Sequence, residues 1–175
     1  SPFTTLIITF VFATYFQQAV VGDAVAGQAM WSTAMALAGL AIALLAPLVG
    51  AVADAGGRLK PWILGLTLVC AAGTALLWLV RPDPALVPLA LLLVVVANFG
   101  FEFGGVFANA LLPGIARPDR LGRLSGWAWG LGYLGGLAAL VLALAVLIQP
   151  ETAPFGLDKA EAEHVRITGP LVAAW

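Results

Sequence analysis

The sequence predicts an all-α, polytopic membrane helix bundle with five spans and the start of a sixth, and three observations predict it. Of its 175 residues 62% are hydrophobic and only 10% charged, against roughly 45–50% and about 25% in soluble domains. Mean hydropathy is +1.02, and a chain with so few polar groups cannot cover a water-facing surface. The apolar residues also fall in five runs, each near or above the roughly 20 residues that cross a bilayer. Lipid is therefore the solvent for most of the chain.

The first run, residues 3–21, has no basic segment before it and further spans after it, so it reads as a membrane helix and not a signal peptide. The second, residues 29–53, contains Pro47, which predicts a kink. The third, residues 61–80, opens on Pro61, and the fourth, residues 85–112, follows Pro84, both placed where a first turn tolerates a missing N–H. Pro113 helps to end the fourth run. The fifth covers residues 124–148, and a sixth begins around Ile167 and is cut at Trp175. Short connections at 22–28, 54–60, 81–84 and 113–123 make neighbouring helices antiparallel; the connection at 149–166 is longer and charged. Both ends look cut, so residues 1–175 are expected to form one N-terminal helix bundle of a longer protein.

Eight Lys plus Arg against nine Asp plus Glu leave a net charge of −1, which argues against a nucleic-acid partner. A single cysteine, Cys70, excludes an internal disulfide framework and a Cys-rich metal site. No cofactor or metal motif is present. The basic residues Arg58, Lys60, Arg117, Arg120 and Arg123 cluster in two loops on one side, whereas Arg81, Lys159 and Arg166 lie on the other. The positive-inside rule then puts the N-terminus in the cytoplasm. The Ala, Leu, Val and Gly bias suggests a bacterial source, hence the cytoplasmic membrane.

The most informative loop reads G-A-V-A-D-A-G-G-R-L-K-P from Gly50 to Pro61. Asp54 stands at a helix C-terminus, where the macrodipole disfavours an anion by a few tenths to about 1 kcal/mol unless a cation compensates. Gly56 and Gly57 permit a tight reversal, and Arg58 and Lys60 are the nearest cations. On physics alone this is either a charged cytoplasmic turn or a functional ion pair.

The spacing Gly50, Asp54, Gly57, Arg58, Lys60 resembles the G-x-x-x-D-x-x-G-R-x-K signature between helices two and three of major facilitator superfamily transporters. Ser1-Pro2-Phe3 with its Thr-rich helix, Phe107 to Pro113 and the Gly/Trp-rich stretch Leu124 to Gly136 resemble bacterial relatives of the autophagy-related vacuolar amino-acid effluxer family. The resemblance implies the N-terminal half of a major facilitator fold, with a C-terminal helix bundle missing here. It implies a conformational latch at Gly50, Asp54, Gly57, Arg58 and Lys60, with Asp54 and Arg58 as its charge relay. Two departures matter: the fourth span has no embedded Arg, and the fifth has no Pro in its Gly-rich stretch. Proton coupling and antiport do not carry over on those motifs.

Glu102 is the one ionisable residue well inside a span. At about 100° per residue Asn98, Glu102, Gly105 and Asn109 share a face, with Gly100 and Gly104 opposite as a packing seam. An intramembrane carboxyl usually faces a bundle interior or a water-filled cavity, so Asn98, Glu102 and Asn109 are candidates for the cavity and for coupling; the bland alternative is a hydrogen-bonded structural Glu. Gly126, Gly130, Gly132, Gly135 and Gly136 give the fifth span a small-residue surface for close helix packing. Trp127, Trp129 and Tyr133 either line a path or belong to an interfacial belt. By the same 100° spacing Thr4, Tyr15 and Gln18 share a face of the first span. His164, in a loop with Glu161 and Glu163, is not expected to be a ligand.

Three function classes compete. The leading one is a secondary transporter moving a small solute by alternating access; no nucleotide-binding motif is present, and amino acids are the solute the resemblance suggests. The second is an integral-membrane enzyme acting on lipid head groups, which needs several acidic residues around Mg²⁺ and finds only Asp54. The third is a non-transporting receptor or scaffold. The bilayer, a small-molecule substrate and the missing bundle are the expected partners.

Overall fold

The computed structural model describes residues 2–56, 59–115 and 118–175; the side chains of residues 53–56, 113, 115 and 118 are outside the description. Five helices are long and apolar enough to cross a membrane. They are α1 (Pro2–Val20), α3 (Leu59–Leu79), α4 (Pro84–Ala110), α5 (Leu121–Ile148) and, between the first two of these, α2 (Ala24–Gly56), whose apolar part is Ala24–Val52. A short α6 (Thr168–Ala174) follows the long connection. No strand occurs among the described residues, and the all-α bundle with five spans and a sixth helix agrees with the sequence.

Local chemistry sets the helix starts. α2 begins at Ala24 because the Asp23 carboxylate accepts hydrogen bonds from the N–H groups of Val25 and Ala26, at 2.8 and 2.9 Å, while Gly22 takes a φ of +75° to turn the chain. Both satisfy needs that hydropathy does not report: orphan N–H groups and a left-handed turn. The run therefore starts five residues earlier than its apolar content suggests. Asp83 caps the start of α4 in the same way, accepting from the Ala85 N–H at 2.9 Å, with Pro84 in the first position. α2 continues as helix through Pro47 to Gly56.

The helices pack as α1 on α5, α2 on α4, α3 on α4, α1 on α6 and α3 on α6. Exchanging α1 with α4, α2 with α5 and α3 with α6 carries these five pairings into one another, the pairing an internal three-helix repeat produces. The α1–α2 and α2–α3 contacts stand outside that relation. Glycines mark the crossings, since a Cβ at each would strike a neighbour. At Gly100 it would lie 2.5 Å from the Leu66 carbonyl oxygen and 2.7 Å from the Cys70 nitrogen; at Gly73 it would lie 3.0 Å from Ala97 Cβ. Gly136 meets the backbone of Phe3 at 2.9 Å, and Gly169 meets the Thr74 carbonyl oxygen at 2.5 Å. Small residues here let backbones approach where lipid supplies no hydrophobic drive.

α1 is the most buried span and α2 the least. One apolar cluster joins Phe12, Phe16 and Val20 of α1 to Trp31 of α2, Leu77 and Val80 at the end of α3, and Ala90 and Val94 of α4. A second joins Phe3, Ile7 and Val11 to Leu140 of α5 and Val172 of α6. The long connection is tied down by Arg166, only 4% exposed, which donates from Nε to the Trp78 carbonyl at 2.8 Å and from Nη2 to the same oxygen. Its Nη1 donates to the Glu161 carbonyl at 3.1 Å, and its guanidinium lies 4.8 Å above the Trp78 ring.

Candidate functional site

α4 carries the site. Its Gly100 face is pressed against α3, as the opposed-face reading required, and the helical offset then turns Glu102 away from that seam. Glu102 and Asn109 line a cavity of about 570 Å³ with Thr4 of α1, Thr67 and Cys70 of α3, Gly105 of α4 and Trp129 of α5. That volume lies within the roughly 300–1,000 Å³ of small-molecule sites. The wall is mostly apolar, with the Glu102 carboxylate, the Asn109 carboxamide and the hydroxyls of Thr4, Thr67 and Thr74 among its polar groups, the last donating to the Cys70 carbonyl of its own helix at 2.9 Å. Such a surface suits a small solute that presents a cationic or hydrogen-bonding group.

Of the polar face expected on α4, Glu102, Gly105 and Asn109 meet the cavity and Asn98 does not; Asn98 is half-buried one turn further along. Trp129 lines the cavity and stacks on Tyr133, their ring centroids 5.9 Å apart. Trp127 lies instead on an open groove of α5 with Arg123, Gly126 and Gly130. Gly132 and Gly136 stand against Pro2 and Phe3 of α1, whereas a Cβ at Gly126, Gly130 or Gly135 would meet nothing within 4 Å. The α5 glycines thus divide between a contact with α1 and an open surface.

The shared face of Thr4, Tyr15 and Gln18 does not form. Thr4 lines the cavity, Tyr15 is buried with its hydroxyl donating to the Val80 carbonyl at 2.8 Å, and Gln18 is exposed. The cause is two wide π-type turns in α1, Ile8–Phe12 and Phe16–Val20, the first closed by the Ala13 N–H on the Ile8 carbonyl. Each wide turn holds an extra residue, slipping the helical phase by up to about 100°. A fixed 100° step fails across them. Thr67 escaped attention because a lone Thr in an apolar run carries no periodic signal.

The positions expected to form a latch are only partly among the described residues. Gly50 lies in α2 with open space around it, and Lys60 is exposed in the first turn of α3. Gly57, Arg58 and the side chain of Asp54 lie outside the described residues. Outside the spans, burial and the Lys159 charge hold the His164 imidazole below its usual range, and its Nδ1 is buried without a partner among the described residues.

Against known families, residues 17–122 match the model described as "Vacuole effluxer Atg22 like", more than half of the chain. The chain belongs to the Atg22-like vacuole effluxer family. Along its whole length it is also 29% identical to a Bacillus subtilis (strain 168) protein described as the uncharacterized MFS-type transporter YxiO. It spans 41% of that relative's length. No solved structure matches the chain. As an Atg22-like chain of major facilitator type, the family that the sequence resembles, it is a multi-pass membrane protein.

Proposed function

We propose that this chain is the N-terminal helix bundle of a secondary transporter that moves a small solute across a bacterial cytoplasmic membrane by alternating access, its N-terminus cytoplasmic. The second bundle belongs to the remainder of the protein, and the solute path runs between the two. The observation that carries the reading is Glu102: a carboxylate well inside a span that lines a cavity together with Asn109 and Thr4. A charged group at such depth costs about 2.5–3.5 kcal/mol on insertion scales, so a role in binding or coupling accounts for its presence. Among the described residues every Lys and Arg falls outside the spans or in a first helical turn. Glu102 is then the group that pairs with an ammonium-bearing solute or carries a proton. The sequence resemblance favours amino acids as the solute, and the family's description as an effluxer is compatible with an exported one.

Flux of a radiolabelled L-amino-acid mixture into proteoliposomes containing the full-length protein tests this. Glu102→Gln keeps the side-chain shape and removes the charge. It should leave expression and folding intact while lowering gradient-driven uptake at least about tenfold, or about 1.4 kcal/mol. Wild-type vesicles without solute-dependent flux would favour a receptor or scaffold. Flux unchanged in the variant would make Glu102 a structural residue.

A further inference from the structure

Away from the Glu102 cavity, a second polar feature bridges α1 and α2 near the end of the bundle where they meet. The Gln17 Nε2 donates to Gln28 Oε1 at 2.6 Å, Gln28 Nε2 donates to Ser32 Oγ at 2.9 Å, and Ser32 Oγ donates to its own helix at the Gln28 carbonyl, at 2.7 Å. Gly27 makes the bridge possible, because a Cβ there would fall 2.7 Å from Gln17 Cα. Gln28 and Ser32 are exposed and Gln17 half-buried. Other exposed hydroxyls nearby are silent: Thr14 and Thr33 donate to their own helix carbonyls at 2.9 and 2.8 Å. The two carboxamides differ. Each has two N–H donors and an acceptor oxygen, and among the described residues the second N–H of each and the Gln17 Oε1 have no partner. In hydrocarbon every such group costs free energy.

On the exposed surface of α2 the polar side chains Gln28 and Ser32 share one side with Val25, exposed at the helix start about 20° from Ser32. Gln28, Ser32 and Ala36 follow one another at four-residue steps on one side. Met30, Leu37, Leu44 and Leu48, all exposed, fall about 120–160° around the helix from Ser32. The leucine side is what lipid requires, and the amide side is not. Ser32 lies about 12 Å along the helix from Ala24, so it is well past the first turn.

We propose that the α1–α2 edge bearing Gln17, Gln28 and Ser32 lines the aqueous solute path at the end of the bundle opposite the latch, as a station offering uncharged hydrogen-bond partners. This rests on the transporter reading and adds to it a second station, distinct from the carboxylate. The station binds the solute's amide, hydroxyl or carbonyl groups without selecting by charge, leaving selection of a cation to Glu102.

The test is thiol modification in membrane fragments open on both faces, using the full-length protein with Cys70→Ala as background. Ser32→Cys and, one turn deeper, Ala36→Cys are compared with Met30→Cys and Leu37→Cys on the opposite side. Membrane-impermeant methanethiosulfonate reagents, one cationic and one anionic, should modify Ser32→Cys at least about tenfold faster than Met30→Cys, although Met30 lies nearer the helix start. The ratio of the two reagents' rates should stay within about threefold of that for a free thiol, since no charge stands beside it. Ala36→Cys should follow Ser32→Cys and serves if the latter fails to reach the membrane. Modification of Met30→Cys as fast as of Ser32→Cys would mean ordinary interfacial hydration and overturn the proposal, as would a strong preference for one charge. Because labelling needs no transport, these failures are distinguishable from an absence of amino-acid flux.

Discussion

At the scale of single residues, two glycines on lipid-embedded helices have opposite roles. Gly100→Ala would place a methyl group 2.5 Å from the Leu66 carbonyl oxygen and 2.7 Å from the Cys70 nitrogen, both backbone atoms that cannot swing aside. Overpacking of this kind costs about 1–3 kcal/mol, so the variant should melt earlier in detergent. Gly126→Ala meets nothing within 4 Å in the same chain and gains helix propensity, up to about 1 kcal/mol. Its melting temperature should be unchanged or higher. His164 gives a pH dependence. Its imidazole is held below its ordinary value of 6.5, chiefly by burial and then by Lys159, so between the depressed folded value and the unfolded one the unfolded chain binds more protons. Its contribution to stability is complete above pH 6.5 and is lost as pH falls through that window. Thermal scans should show wild type losing more stability than His164→Gln on going from neutral pH to below 6. Equal losses would mean that other groups set the acid response.

At the scale of elements, the connection between α5 and α6 is fixed by the packing of Ala162 and Val165 on the apolar clusters and by one cation. Arg166 reaches back to the last turn of α3, where unpaired carbonyls and the negative end of the helix dipole favour it. Hydrogen bonds to a charged group contribute about 1.5–3 kcal/mol, and the stacking on Trp78 adds to them. Arg166→Ala should therefore lower stability by about that amount and raise proteolytic cleavage of the 149–166 connection. Arg166→Lys should recover little, since an ammonium can neither fork across two carbonyls nor stack as a plane. The sequence could not announce this contact, because Trp78 and Arg166 are 88 residues apart. What was legible was whatever a single helix encodes: five apolar runs, the polar placement of Glu102 and Asn109, and the Gly100 seam. Tyr15 and Gln18 depart from the shared face because wide turns in α1 break the 100° period. The early start of α2 was missed because Asp23 and Gly22 supply a cap and a turn, not hydropathy. Asn98 sits on the predicted face, yet only neighbouring helices decide where the cavity ends.

At the scale of the whole molecule, the alternating-access proposal requires that this bundle be held against, and released from, a second one. Within this chain α3 is closely joined to α4 through Gly73 and Gly100 and to α6 through Gly169, and α1 to α5 through Gly132 and Gly136, whereas α2 keeps an exposed apolar side and α5 an open glycine surface. Change of state is then expected between bundles, and the charged turn after α2 is where the resemblance places the latch. A buried or half-buried ion pair at a moving interface sets the balance between two states, and losing it shifts their populations by a few kcal/mol at most while each bundle stays folded. The Asp54→Asn variant of the full-length protein should accordingly reach the membrane at near wild-type levels and lose most of its flux. Arg58→Gln should behave alike, and the double variant should be no worse than either single one, because the two charges act as a unit. Loss of expression in step with loss of flux would reduce the motif to a basic turn. Additive losses would show that Asp54 and Arg58 act on different partners.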